Sequence, residues 1–340
     1  MKIGVNTEWE EHVKKRVVES VVEAVSRLRP AYFRFSKNLA EGIVTLDDTR
    51  EPRVYDEGLR MMQVVDVETS ETLGTLIQWA NHPETLWGKN LFISSDFPHY
   101  LREAVEKGVY RDDSLVRKGA GGVALYLNGA VGGLMTTHAS SGVKNPFRDT
   151  VYVEPSFDKA RAQGDTLGLI VLRTMEDNPV EVREGGINLR ARTFTLPIKN
   201  KLFRLAAFIG LMKGDMSGWM RKRTEAAAWS IGPAGFLTFP GELYPEILNG
   251  GIEALPVRDF EVEPLEVPPL RELMPGDFRF GIGLANDEVG YIIPKSQLDV
   301  KKPYIYRDSP CYGEENSLGP ETAPLLHNEL RLLLEELNNH

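Results

Sequence analysis

The hydrophobic positions in the first quarter of the chain predict one helix followed by three strands. Over residues 8–28 the apolar side chains recur at helical spacing and the opposite face is charged, so we expect an amphipathic helix that covers a sheet. Pro30 ends this helix, and the segment AYFRFS after it predicts a strand. Residues 59–67 and 73–80 predict a hairpin. The apolar residues of the helix are Val13, Val17, Val18, Val21, Val22 and Val25.

The pattern beyond this point continues to alternate between strands and helices. Residues 157–175 predict an amphipathic helix in which Gly164 and Gly168 allow close packing. Residues 187–198 predict a strand whose apolar phase changes midway, as a β-bulge would allow. We therefore expect an α/β fold of mixed sheets flanked by helices. Further strands are predicted at 122–127, 226–231, 235–239 and 278–285, and a C-terminal helix at 323–337.

Residues 201–223 combine the apolar run LFRLAAFIGLM with the basic cluster WMRKR, and two interpretations stay open. The segment could rest on a membrane surface or form a lid over a lipid substrate. A helix of this kind is more often packed on its own protein with its polar face in water.

Composition narrows the class of protein. A chain of 340 residues that is 42% hydrophobic can bury a large core, as one α/β domain or two closely joined ones. The formal net charge of -9 argues against a nucleic-acid partner and against electrostatic adsorption to anionic membranes. The single cysteine, Cys311, excludes an internal disulfide framework. No apolar run is long enough to span a bilayer, so we expect no transmembrane segment.

The strongest candidate for a functional site follows the second strand of the predicted hairpin. His82 stands just past the end of that strand and before Pro83, where catalytic groups and metal ligands are often held. Downstream, Asp96 is a good N-cap for a helix through Leu101 and Val105. By itself, a histidine at a strand end is more often a structural residue.

Four other motifs favour a functional role for His82 over a structural one. They are LNGAVGG at 127–133, FPGELYPE at 239–246, GLANDEVGYIIP at 283–294 and YGEENSLGP at 312–320. Together with the histidine and proline after the strand, and in this order, they resemble the neutral/alkaline non-lysosomal ceramidase family. The resemblance covers nearly the whole chain and implies one domain with the fold of that family's N-terminal catalytic domain.

The resemblance also implies a metal site and a reaction. In the family the corresponding histidine, the glutamate of Pro-Gly-Glu and a tyrosine bind catalytic zinc, which assigns His82, Glu242 and Tyr291 as ligands. Tyr312 matches a tyrosine beside the scissile bond that would donate a hydrogen bond to the developing oxyanion. Lys37 stands at the best match to a family arginine. From spacing alone, Glu242 could instead cap a helix and Tyr291 could be a packing residue.

The glycine-rich turn implies a substrate-binding loop. Asn128, Gly129 and Gly133 are its candidate residues, since glycines permit positive φ and close backbone approach, although a simple tight turn would have the same composition. A serine of the family's turn aligns with Met135, which has no hydroxyl. We interpret His138 as a surface histidine. We expect Asp96 and Asn286 to hold the predicted ligands in position without binding the metal themselves.

The resemblance further implies a zinc-binding Thr-His-Thr-His-Ser-Gly-Pro segment that would precede the region matching Gly4 and Asn6. We expect the chain to be truncated at its N-terminus. The predicted function is zinc-dependent hydrolysis of an N-acyl amide, with ceramide-like lipids or another small amide as substrate. Both a monomer and a homo-oligomer stay open. A hydrolase of a different amide or ester, and a non-catalytic relative that binds or assembles, stay open. The location would be cytoplasmic if Met1 is the true start, and the protein would be exported if a segment is missing.

Overall fold

The structure is a computed structural model that describes residues 6–48, 50–133, 135–137, 141–210, 216–218, 220–253 and 259–339. Its α-helices are α1 (Thr7–Ser26), α2 (Phe97–Lys107), α3 (Phe157–Glu176), α4 (Lys201–Phe208), α5 (Pro245–Asn249), α6 (Leu270–Leu273), α7 (Tyr312–Glu315) and α8 (Thr322–Asn338). Its strands are β1 (Ala31–Asn38), β2 (Asp47–Asp48), β3 (Leu59–Asp66), β4 (Thr72–Trp79), β5 (Gly108–Arg111), β6 (Ser114–Lys118), β7 (Val123–Asn128), β8 (Met135–Thr136), β9 (Val143–Lys144), β10 (Val151–Tyr152), β11 (Val180–Val182), β12 (Ile187–Pro197), β13 (Arg221–Ile231), β14 (Ala234–Thr238), β15 (Glu242–Leu243), β16 (Phe278–Ile282) and β17 (Tyr291–Ile292).

The first sheet has the strand order β11-β1-β3-β4-β7, and all neighbours are antiparallel except β4 and β7. The predicted hairpin is confirmed, and Asp66 fixes its turn by accepting hydrogen bonds from the backbone N–H groups of Glu68 and Thr69. Helices α2 and α3 cover one face of this sheet. The close packing predicted at two glycines is also confirmed: a Cβ on Gly164 or Gly168 would lie 2.4 Å from a side-chain atom of α2.

The second sheet has the strand order β12-β13-β14-β16, and its only parallel pair among the described strands is β14 with β16. Helix α8 covers β12 and β13 with buried leucines, each of which contributes about 1.5–3 kcal/mol on burial. The predicted bulge in residues 187–198 is wrong, since β12 pairs with β13 in one unbroken register. Leu196 faces inward while Ile187 and Leu189 face solvent. The apolar pattern changes because the two ends of the strand are buried to different extents.

The two sheets meet face to face around a cluster of aromatic side chains. Phe35 of β1 contacts Phe278 of β16, and Phe236 stacks between Trp229 and Phe280 with ring centroids 4.8 and 4.5 Å away. Offset and edge contacts between such rings stabilise the packing beyond the area that they bury. The expectation of mixed sheets flanked by helices is confirmed.

Helix α1 differs from the prediction in its packing, although its position in the sequence is correct. None of its residues is buried, and Val17, Val18, Val21 and Val22 are all exposed. The expectation that this helix covers a sheet is therefore wrong within the described residues. The first sheet already carries α2 and α3 on one face and the second sheet against the other.

Helix α4 is shorter than the predicted apolar segment. It ends at Phe208, and the basic residues Arg221, Lys222 and Arg223 of that segment belong to strand β13. No residue of α4 is fully buried, but Phe203 packs against the hydrophobic core, so the helix rests on its own protein as one of the two interpretations holds. Its outer face differs from that interpretation, because apolar Leu202, Leu205 and Phe208 are exposed there. Within the part of the chain that the structure describes, no helix is both long and apolar enough to cross a bilayer.

Candidate active site

The candidate site lies where the two sheets bring the ends of their parallel strands together. Chain segments that leave β4 and β7 carry His82 and the glycine-rich turn, and segments that leave β14 and β16 carry Glu242 and Tyr291. One hydrogen bond joins the two sheets here, from the backbone N–H of Gly283 to the carbonyl of Asn128 at 3.0 Å. Residues that are up to about two hundred positions apart in the sequence are adjacent because parallel strands end at the same edge.

Two short parallel strands hold the predicted ligands in register. Glu242 of β15 lies beside Tyr291 of β17, and the N–H of Glu242 donates to the carbonyl of Gly290 at 3.1 Å. The glycine-rich turn closes on this pair, since the N–H of Gly132 donates to the carbonyl of Leu243 at 2.9 Å. A Cβ on Gly132 would lie 2.4 Å from the carbonyl oxygen of Glu242, so only glycine allows this approach.

The glycines of this turn are therefore needed because neighbouring backbone and side chains lie too close for a Cβ atom. Glycine also permits positive φ, but neither Gly129 nor Gly132 has a positive φ. Gly129 donates to the carbonyl of Trp79 at 3.0 Å, and a side chain on it would collide with Gln78. Asn128 lies at the end of β7, where its Oδ1 accepts a hydrogen bond from Tyr126 at 3.0 Å. Gly133 is buried at the end of the turn.

His82 and Glu242 are in direct contact. The Nε2 atom of His82 lies 2.9 Å from Oε2 of Glu242 and 3.2 Å from the carbonyl oxygen of Val131, and both side chains are largely buried. Burial lowers the pKa of the imidazole, but hydrogen bonding to Glu242 and the charges of Glu242 and Glu84 outweigh it and raise the net pKa above 6.5. Glu242 does not cap α5, because the residue at the N-cap position is Tyr244.

Tyr291 and Tyr312 form the third side of the site. Burial together with the nearby Glu242 carboxylate raises the pKa of the Tyr291 phenol well above 10, so the phenol is neutral at ordinary pH. The ring of Tyr312 meets that of Tyr291 edge to face, with centroids 5.8 Å apart. Tyr312 is 59% exposed and lines the mouth of the site, which is where a hydrogen-bond donor to a substrate should lie.

A cavity of about 610 Å³ opens beside these residues. Its polar part contains Glu242, Tyr291 and Tyr312, while helix α4 and the neighbouring loops contribute apolar side chains. This combination suits an amphiphile, with a polar group at the reactive end and a chain along the apolar wall. The apolar part of the lining is formed by Phe203, Ala206, Leu284, Val289 and Leu318.

Two glutamates near the predicted ligands had no role in the sequence interpretation. Glu84 follows His82 by two residues, accepts a 2.5 Å hydrogen bond from the hydroxyl of Thr136, and raises the pKa values of both His82 and Tyr291. Glu288 lines the cavity, where burial and the Glu242 charge raise its pKa to about 7. The signals were present, since Glu84 lies beside His-Pro and Glu288 lies within NDEVGY, but acidic residues in loops are too common to single out.

Asp96 supports the histidine loop from a distance. It caps α2 as predicted by accepting a hydrogen bond from the N–H of Phe97 at 2.6 Å. The same carboxylate accepts from the N–H groups of Thr85 and Leu86, at 3.2 and 2.9 Å. It therefore fixes the chain three residues beyond His82 without contacting the imidazole.

The structure does not bring two other predicted residues to the cavity. Lys37 donates from Nζ to the carbonyl of Asp277 at 2.8 Å, and it is not among the described residues that line the cavity. Asn286 is exposed and donates to Glu225 at 3.0 Å, so its side chain faces away from the ligands. His138 lies outside the described residues.

The donor atoms can be compared with what a zinc ion requires. Ligand atoms on one tetrahedral zinc, with bonds of about 2 Å, lie roughly 3.3 Å apart, and the imidazole and carboxylate of this site are 2.9 Å apart. The third donor would be the phenol of Tyr291, which lies opposite Glu242 in the register of β15 and β17. Among the described residues no group of three or more His, Cys, Asp or Glu side chains is placed to hold a metal, so the set depends on tyrosine.

Comparison with known proteins places the fold. No family model matches the sequence and no curated protein matches it. The neutral ceramidase from Pseudomonas aeruginosa superposes with a TM-score of 0.62 at 15% identity, over 95% of this chain and 55% of that one. A ceramidase complexed with C2 gives 0.60 at 14% identity, over 93% and 55%. The chain has a ceramidase-like fold and spans about half the length of these structures.

Proposed function

We propose that this chain is a ceramidase-like, zinc-dependent hydrolase of N-acyl amides and a member of the neutral ceramidase family. The observation that carries the proposal is the convergence of His82, Glu242 and Tyr291 from the ends of two sheets, at the polar end of an apolar cavity. The ceramidase-like fold supports it. The order of the sequence motifs along the chain also supports the proposal.

His82, Glu242 and Tyr291 would hold the zinc. Bound zinc supplies a Lewis acid and lowers the pKa of a bound water toward 7. His82 would contribute Nε2, which lies 2.9 Å from Oε2 of Glu242, so both atoms are near enough to bind one cation. Tyr291 lies opposite Glu242 in the parallel register of β15 and β17, which would bring its phenol toward the same point. Tyr291 would bind as the phenolate, the form of the side chain that a nearby cation stabilises.

The cavity determines how an amide would lie. The apolar wall around Phe203 and Leu318 takes an acyl chain, which leaves the amide carbonyl near Tyr312. The exposed phenol of Tyr312 donates a hydrogen bond to the carbonyl oxygen as negative charge develops there. Met135 stands where the family has a serine, so no hydroxyl from that position takes part.

The test is elemental analysis of the purified protein together with two variants. Wild type is expected to bind about one zinc per chain, and His82→Ala and Glu242→Ala are each expected to lose it, because two remaining donors hold zinc weakly. His99→Ala is the matched control, since His99 is exposed on α2 and should leave the zinc content unchanged. Hydrolysis of a ceramide-type amide should fall in parallel with the metal.

A wild-type protein that takes up no zinc, even after incubation with it, would overturn the proposal. Hydrolysis that survives Glu242→Ala would do the same. The first result would favour the non-catalytic alternative, a relative that keeps the fold and serves in binding or assembly. Zinc binding with hydrolysis of another amide or ester alone would keep the site but replace the substrate.

A further inference from the structure

A buried ion pair lies behind the helical turn that carries Tyr312. Nη2 of Arg50 donates to Oε1 of Glu314 at 2.6 Å, and the two side chains are only 1% and 2% exposed. Arg50 comes from the loop between β2 and β3, 264 positions before its partner in the sequence. Neither residue is among the described residues that line the cavity.

Helix α7, which contains both Tyr312 and Glu314, is a single turn. A helix of this length does not hold its own orientation, so contacts with the rest of the protein must do so. Tyr312 is exposed and lines the cavity, whereas Glu314, two residues later and about 200° around the helix axis, is buried. The direction of the Tyr312 phenol therefore depends on what holds the buried side of the turn.

Two hydrogen bonds to backbone carbonyls fix the end of α7. The Nδ2 group of Asn200 donates to the carbonyl of Glu315 at 2.9 Å, and the N–H of Tyr291 donates to the carbonyl of Asn316 at 3.1 Å. The middle of the turn is held through the Glu314 carboxylate. Among the described residues, the other hydrogen bond printed by the geometry to this carboxylate is long, 3.4 Å from the N–H of Asp299, so Arg50 is its main partner.

Arg50 is itself held in one position. Its Nη2 also donates to the carbonyl of Gln297 at 2.9 Å, and its Nη1 donates to the carbonyl of Glu51. The guanidinium lies over the rings of Tyr244 and Tyr306, 5.0 and 4.6 Å from their centroids. A planar guanidinium that donates to several acceptors and stacks on aromatic rings has little freedom to move, so it can fix the position of its partner.

Tyr244 connects this cluster to the strand that carries Glu242. It follows directly after β15, and a Cβ on Gly313 of α7 would lie 2.7 Å from its hydroxyl oxygen. The same side chain therefore reaches both Arg50 and α7. A buried ion pair adds little stability compared with apolar packing, but it needs one geometry. Its place behind the Tyr312 turn points to positioning.

We propose that Arg50 is a positioning residue, which holds α7 through Glu314 so that the Tyr312 phenol points at the amide carbonyl. This inference rests on the proposed function, in which Tyr312 donates to the developing oxyanion. Such a hydrogen bond strengthens in the transition state, so its weakening lowers kcat and leaves KM nearly unchanged. A displacement of about 1 Å at a positioned group can lower the rate about 100-fold.

The first test is a double-mutant cycle on hydrolysis of a ceramide-type amide. Arg50→Lys keeps the charge but loses the planar fork, and we expect kcat to fall about 10–100-fold with KM within about twofold of wild type. In the Tyr312→Phe background the same change should lower kcat no further, because the group that Arg50 positions is gone. The matched control is Leu172→Ala, a buried truncation on α3, which packs against α2 and the first sheet. It should destabilise the fold but leave kcat unchanged.

The position of the phenol can also be observed without hydrolysis, by fluorine NMR of protein labelled with fluorotyrosine. The resonance that disappears in Tyr312→Phe belongs to Tyr312, whose ring meets that of Tyr291 edge to face. This resonance should move or broaden in Arg50→Lys and stay in place in Leu172→Ala. Glu314→Gln removes the same contact from the other side and should give the same spectra and kinetics, so the test does not depend on whether Arg50→Lys folds.

Two results would each overturn the proposal. One is a loss of kcat that is as large in the Tyr312→Phe background as in wild type, because the ion pair would then act on the fold in general. The other is a Tyr312 resonance that both variants leave in place. Failure of the proposed function is seen separately, as a wild type without zinc and without hydrolysis. In that case the fluorine spectra alone decide whether Arg50 positions Tyr312.

Discussion

Replacing Gly132 by alanine tests whether the two halves of the site depend on backbone contact. The added Cβ would lie 2.4 Å from the carbonyl oxygen of Glu242 and 2.6 Å from the carbonyl carbon of Leu243, both of which are backbone atoms that cannot rotate away. The glycine turn must then move, which stretches the 2.9 Å hydrogen bond from Gly132 to Leu243.

The expected cost follows from these two contacts. Overpacking against a rigid neighbour costs typically about 1–3 kcal/mol and the weakened hydrogen bond about 1 kcal/mol, so we expect Gly132→Ala to destabilise the protein by about 2–4 kcal/mol. With an unfolding entropy of roughly 2.1 cal/mol/K per residue, the 340 residues give about 0.7 kcal/mol per degree, and Tm should fall by about 3–6 °C.

The assay is thermal unfolding followed by circular dichroism, with Gly186→Ala as the matched control. A Cβ on Gly186 would meet no atom within 4 Å, so that variant should unfold within about 1 °C of wild type. The reasoning is refuted if Gly132→Ala unfolds at the wild-type temperature, or if both variants fall equally. Reduced zinc content in Gly132→Ala would show that the same contact also sets the distance between His82 and Glu242.

Two further predictions concern buried charge. Asp56 accepts from Arg271 at 2.9 and 3.0 Å and lies beside Arg60; burial raises its pKa, but the two cations lower it by more, to below 3.8 overall. A carboxylate whose pKa is lower in the folded state stabilises the protein at pH values above its unfolded pKa. Asp56→Asn should therefore cost about 3–5 kcal/mol near neutral pH. In urea unfolding, the difference in stability between wild type and variant should shrink as pH falls below 3.8. Equal gaps at pH 7 and pH 3 would contradict this. Glu314→Gln, which removes the carboxylate 2.6 Å from buried Arg50, should cost a similar amount, whereas Glu23→Gln in an exposed ion pair of α1 should change stability by less than about 0.5 kcal/mol; a similar Tm for both variants would contradict this.

Local pattern determined most of the elements. Period-2 and period-3.6 spacing located β3, β4, β7, α3 and α8 within a few residues, because a strand or helix needs its apolar face wherever it packs. The positions of His82 and Asp96 relative to a strand end and a helix start were likewise readable, since capping and chain breaking act over a few residues.

The sequence by itself could not decide which of these faces find a partner. The valine pattern of α1 predicted the helix but not whether another element packs against it. The observed helix is exposed, because its packing depends on where all the other elements lie. In the same way the apolar pattern of β12 changes phase within a regular strand, because α8 covers the strand unevenly, and no window of the sequence records this.

The candidate site shows the same division. The residue types of the predicted ligands, and the motifs that carry them, could be read from the sequence. Only the tertiary structure placed Glu242 2.9 Å from His82, left Lys37 on the carbonyl of Asp277, and put Glu84 and Glu288 near the ligands. These contacts join strand ends far apart in the chain, and their distances depend on how two sheets pack, so spacing along the sequence does not contain them.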